Sequence, residues 1–115
     1  MELTLNIGLD RKKYGRANVG HGTALRDLAL GGFVILAHAG YVSDTEDTLV
    51  VKVRHEGSTP RVANALFHIS TILSQDCIAV VNHTDNTQTL IGPFADKWLP
   101  FNPAYFLNLD GTRLA

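Results

Sequence analysis

The sequence predicts an α+β fold: two helices packed on a mostly antiparallel sheet of four to five strands, with an irregular aromatic C-terminal segment. Three observations predict it. Leu3, Leu5, Ile7 and Leu9 alternate with polar neighbours, the period of a half-buried strand. Val62, Leu66, Ile69 and Leu73 recur at helical spacing behind Thr59-Pro60, an N-cap followed by proline in the first helical position. Between and after these lie short apolar runs bounded by turn residues, giving the order β-α-β-β-α-β-β over one domain, residues 1–115.

The elements follow in order. After the first strand, a glycine-rich basic loop runs from Arg11 to Gly22. Thr23 can cap a short helix with Leu25, Leu28 and Ala29 on one face, which Gly31-Gly32 ends. Phe33 to Val42 reads as a second strand, apolar on both faces except at His38. The acidic run Ser43 to Asp47 turns the chain into a third strand, Leu49 to Arg54. The second helix continues to about Ser74, Cys77 to Asn82 forms a fourth strand, and Thr84 to Thr87 turn into a short fifth, Thr89 to Ile91. Right-handed crossovers give a ferredoxin-like arrangement with strands one and three central. That leaves the apolar strands Phe33–Val42 and Cys77–Asn82 toward the edges, where an uncovered edge invites another chain. A homo-oligomer, dimer or higher, is the expectation.

A chain of 115 residues with 45% hydrophobic and 18% charged residues is globular and forms its core without staples. A formal net charge of −1 gives no overall pull toward DNA, RNA or an anionic membrane. Cys77, the single cysteine, sits in an apolar run as a small buried hydrophobe and fits a reducing cytoplasm. Met1-Glu2-Leu3-Thr4 does not resemble a signal peptide, and no apolar run approaches a membrane span.

Two constellations stand out. Arg11, Lys12, Lys13 and Arg16 place four of the ten basic residues within six positions, leading into Gly20-His21-Gly22. Helix-start amides and nearby guanidinium groups favour an anion, and a solvated loop fits the same charges. Gly15 to Gly20 has P-loop spacing, but His21 stands where the lysine belongs. The second constellation is the segment from Phe94 to Phe106. Phe94, Trp98, Phe101, Tyr105 and Phe106 fall there with Pro93, Pro100 and Pro103 among or beside them. Prolines at that density exclude a long helix or a central strand. Such a segment is either a flap packed on the open sheet face or a surface that stacks a base on Trp98 or Phe101, with Asn102 bonding its edge. The two readings are compatible.

The five histidines show no metal-ligand spacing, no Gly-x-Ser-x-Gly elbow occurs, and Asp44, Glu46 and Asp47 fit a charged turn better than a cation site. Neither a metal nor a cofactor is expected, and nothing calls for an enzyme.

Asn6-Ile7-Gly8-Leu9, Thr45 to Val51, Gln75 to Val80, Ile91-Gly92-Pro93 and Trp98 to Phe106 form a spaced set of blocks over most of the chain. This set resembles the phage anti-Thoeris family of sponge proteins. The resemblance implies a homo-oligomer that sequesters cyclic ADP-ribose signals made by TIR-domain immune enzymes without degrading them. Some members also hold cyclic oligonucleotides at a separate site. Residue chemistry then nominates Arg11, Lys12, Arg16, His21, Arg54, Trp98, Phe101, Asn102 and Arg113 as ligand-binding, in the cytoplasm of an infected bacterial host. The competing reading is a phage accessory or inhibitor protein that binds another protein through its aromatic C-terminal segment.

Overall fold

The computed structural model describes residues 1–10, 17–42 and 46–114. Its elements are β1 (Glu2–Asp10), α1 (Ala17–Leu30), β2 (Val34–Val42), β3 (Glu46–Arg54), α2 (Thr59–Ile72), β4 (Ile78–Asn82) and β5 (Thr87–Ile91). They form an α+β fold with one five-stranded sheet in the order β2-β3-β1-β4-β5. Every neighbouring pair is antiparallel.

Alternation sorts the two faces of the sheet. Leu3, Leu5, Ile7 and Leu9 of β1 join Leu49, Val51 and Val53 of β3 and Ile78 and Val80 of β4 in the core. Both helices close that face, with Ala24 and Leu28 of α1 and Val62, Leu66 and Ile69 of α2, and Leu73 just beyond it. All of these are nearly inaccessible to water, so burial of this apolar stripe is what docks both helices.

Three expectations are corrected. Helix α1 begins at Ala17, six residues before Thr23, so Gly20-His21-Gly22 lies inside the helix rather than in a loop ahead of it. A glycine inside a helix costs only ~1 kcal/mol, which docking of Ala24 and Leu28 readily offsets. The amide donors of Gly20-His21-Gly22 therefore do not form a helix-start anion site. The second correction concerns β4, which is not an edge. Strand β5 pairs with it from Ile78↔Ile91 to Asn82↔Thr87. Strand β2 does stand at the edge, with Val34, Leu36 and Val42 exposed. Glu46 and Asp47, read as turn residues, already belong to β3.

Helix α1 ends as its sequence requires. Gly32 takes φ +90, the Phe33 amide donates to Leu28 O at 3.0 Å, and the Gly32 amide donates to Ala29 O at 3.1 Å. This Schellman arrangement lands Phe33 in the core. His55 locks the same corner. Its Nδ1 accepts from the Gly57 amide at 2.8 Å, so Nε2 carries the proton and donates to Gly31 O at 3.0 Å.

Candidate functional site

The second face of the sheet presents Thr4, Asn6 and Gly8 of β1 beside Thr48, Val50 and Lys52 of β3. Helices do not cover it, yet Val50 has no exposure at all. The C-terminal segment supplies the cover. It leaves β5 at Gly92, whose missing side chain lets the chain pass against the backbone of Asp76 and Cys77. The Phe94 amide donates to Asp76 O at 2.9 Å, and a 3-10 turn follows at Ala95–Trp98. After a cis Leu99-Pro100 bond, a second short turn spans Pro103–Tyr105. The chain then folds into a narrow hairpin with a Leu107↔Arg113 bridge.

Two residues fasten that hairpin to the sheet. Asn6 Nδ2 donates to Leu107 O and the Leu107 amide donates to Asn6 Oδ1, both at 2.9 Å. Tyr41 Oη donates to Leu109 O at 2.6 Å, and Gly111 lies so close to the Tyr41 ring that a Cβ there would clash with it. The hairpin's own turn is held by Asp110, whose Oδ1 accepts from Thr112 Oγ1 at 2.6 Å and Thr112 N at 3.0 Å. The Thr112 hydroxyl and then its amide lower the Asp110 carboxyl below its ordinary value.

Between the sheet and this segment lies a cleft of about 310 Å³. Asn6, Gly8 and Thr48 form its floor, Ser74 to Cys77 one wall, and Trp98, Tyr105 and Phe106 the other. Trp98 Nε1 donates to Asp76 Oδ2 at 3.1 Å, so the carboxylate fixes the indole at the cleft wall. A shallower groove of about 500 Å³ follows the outer surface of the segment along Trp98, Phe101, Asn102 and Tyr105. The Phe101 ring rests on Phe106 at 4.9 Å.

Of the residues nominated from sequence, Trp98, Phe101 and Asn102 come together in that groove. Asn102 also has a local task, because its Oδ1 accepts from the Ala104 amide at 3.1 Å and caps the second turn. The other nominated residues lie elsewhere. His21 stands on the helix-covered face, with Nε2 2.9 Å from Oδ1 of the buried Asp47. Arg54 ends β3, four residues and so about 13 Å along the strand from Val50, the partner of the cleft residue Asn6, with its Nε 3.6 Å from Glu56. Arg113 is exposed on the hairpin, and its carbonyl accepts from Asn108 Nδ2 at 3.2 Å. Arg11, Lys12, Lys13 and Arg16 lie outside the described residues.

Sequence reasoning missed Asn6, Gln75 and Asp76 as cleft residues and treated Cys77 only as core. Cys77 is half-buried at the cleft wall. Burial, and then the charge of Asp76, push its thiol above the ordinary value of 9.0, so it is a poor nucleophile at neutral pH. No helix among the described residues is long and apolar enough to cross a membrane. No family model, curated protein or solved structure matches the chain.

Proposed function

We propose that the protein is a non-enzymatic binder that sequesters a phosphorylated nucleotide immune signal and so counters bacterial anti-phage defence. The signal is of the cyclic ADP-ribose type or a cyclic oligonucleotide, as the resemblance to anti-Thoeris sponges implies. The observation that carries this reading is the cleft of about 310 Å³ walled by Trp98, Tyr105 and Phe106. Aromatic rings stack bases with ~1–3 kcal/mol each and need no chemistry to do so.

A cleft of this size is at the small end of ligand pockets, so it takes one ring system and leaves the phosphates outside. The first strand ends two residues beyond Gly8, a cleft residue, and Arg11, Lys12, Lys13 and Arg16 follow directly in sequence. The proposal assigns the phosphates to these cations. The edge strand β2 is the surface it assigns to a second subunit, and the host cytoplasm is where the protein acts.

The test is to mix purified protein with candidate cyclic nucleotides, remove free ligand, heat the complex and identify what is released. Intact ligand in near-stoichiometric amount is expected. Altered ligand would make the protein an enzyme, and no ligand would leave a protein partner as the reading. One observation favours that second reading: Phe94, Trp98, Leu99 and Tyr105 are 46–65% exposed, an apolar surface suited to a protein contact.

A further inference from the structure

We infer that the base held in the cleft is guanine, selected by Asp76; this rests on the nucleotide-binding reading above and names its ligand class. Asp76 is the only carboxylate among the cleft's described lining residues, and none of those residues is a lysine or an arginine. The cleft is therefore the wrong place for a phosphate, which the like charge of Asp76 repels, and a suitable place for a ring edge that donates.

The carboxylate is held in place for that task. The Asp76 carbonyl accepts from Phe94 N at 2.9 Å, and its Oδ2 accepts from Trp98 Nε1 at 3.1 Å. A carboxylate has about four lone-pair directions, and the indole takes one, so both oxygens retain acceptor capacity beside the aromatic wall. Of the two side-chain amides among the cleft's described lining residues, Asn6 is committed at both ends to Leu107, and Gln75 donates from Nε2 to Leu73 O at 3.5 Å.

Base chemistry then decides the occupant. Guanine presents two adjacent donors, N1–H and the N2 amino group, that match the two oxygens of a carboxylate. Adenine and cytosine place a ring-nitrogen acceptor beside their amino group, and uracil flanks its single N–H with carbonyls. Each of those puts a lone pair against the Asp76 charge. Among signals of the proposed class, this selects guanine-bearing cyclic oligonucleotides over adenine-only ligands.

The test is calorimetry with GMP, guanosine, IMP and AMP on the full chain and on Asp76→Asn. IMP keeps the ring of GMP and lacks only the N2 amino group. GMP is expected to bind more tightly than IMP and AMP by roughly 10-fold or more, the range of one good bidentate base contact. Guanosine should keep the preference over AMP, separating base from phosphate. Asp76→Asn should weaken GMP by a similar factor and spare AMP, since an amide pairs with adenine. Its Oδ1 can still accept the Trp98 N–H, and a matching melting curve checks that the variant folds. Should it fail to fold, the GMP-to-IMP ratio on the unaltered chain decides alone. Equal affinity for GMP, IMP and AMP would overturn the guanine inference and leave sequestration standing. Failure of these and of the cyclic nucleotides to bind would overturn both.

Discussion

Asn6 holds Leu107 as a neighbouring strand would, accepting from its amide and donating to its carbonyl, both at 2.9 Å across 101 positions of sequence. One side chain thus stands in for a β-ladder and closes the C-terminal segment over the open sheet face. Replacing Asn6 by Ala removes both bonds and leaves two main-chain groups to find new partners. The expected cost is ~2 kcal/mol of stability, with faster amide exchange at Leu107 than in the rest of the sheet. Exchange rates at Leu107 and Leu109 that do not change would mean the hairpin is held by other contacts.

His21 and Asp47 form a second long-range pair, on the opposite face. Asp47 is 2% exposed, and its Oδ2 has no hydrogen-bond partner among the described residues. In His21→Ala the Oδ1 contact is lost as well, so the buried carboxylate has no partner left among the described residues, at an expected cost of about 2–3 kcal/mol. Because the pair lies away from the cleft, nucleotide affinity of the folded variant should be unchanged. Chemical denaturation and calorimetry on the same sample check both halves. A loss of affinity with stability intact would move His21 into the ligand site.

Cys77 reports on the cleft by its reactivity. Its thiol is raised by burial and then by Asp76, so alkylation at about pH 7.5 should be slow and should accelerate in Asp76→Asn. The sign for stability follows. The folded value lies above the unfolded one, so this contribution is complete below the ordinary thiol value of 9.0 and declines as pH rises past it. Thiol labelling against pH, followed by mass spectrometry, measures the first effect. Equally fast labelling of the folded and unfolded chains would show that neither burial nor Asp76 governs the thiol.

Strand β2 exposes Val34, Leu36 and Val42 at the sheet edge, and Val34 to Val42 contains no lysine, arginine, acid or proline that would blunt it. With a second copy paired there, Leu36→Lys should shift the protein toward monomer in light scattering. A monodisperse 12.5 kDa species for the unaltered chain at micromolar concentration would remove the proposed oligomer.

The helix stripe Val62, Leu66, Ile69 and Leu73 was legible in the sequence because spacing alone determines which side of a helix is apolar, and all four are buried. The β1 alternation was legible for the same reason. The start of α1 was hidden by Gly20 and Gly22, whose poor helix propensity is overridden by contacts distant in sequence. The landing site of the aromatic segment was equally hidden. Asn6 looks like any polar residue on the outward side of a strand, and nothing local says that Leu107 will bond to it. Trp98, Phe101 and Asn102 were found from composition, whereas Asp76 was not, because one acid before a strand carries no pattern. Its role comes only from the indole placed beside it.

Trp98 is the only tryptophan in the chain and lies on the cleft wall, so its emission reads the site without labelling. Titrating guanine-bearing and cyclic ADP-ribose-type nucleotides while recording that emission tests most directly whether a nucleotide ring enters the cleft. A saturating change, with one ring bound per chain and lost in Asp76→Asn for the guanine ligands, is the result this account predicts. Trp98 emission that stays flat while calorimetry on the same sample detects binding would place the ligand elsewhere and contradict it.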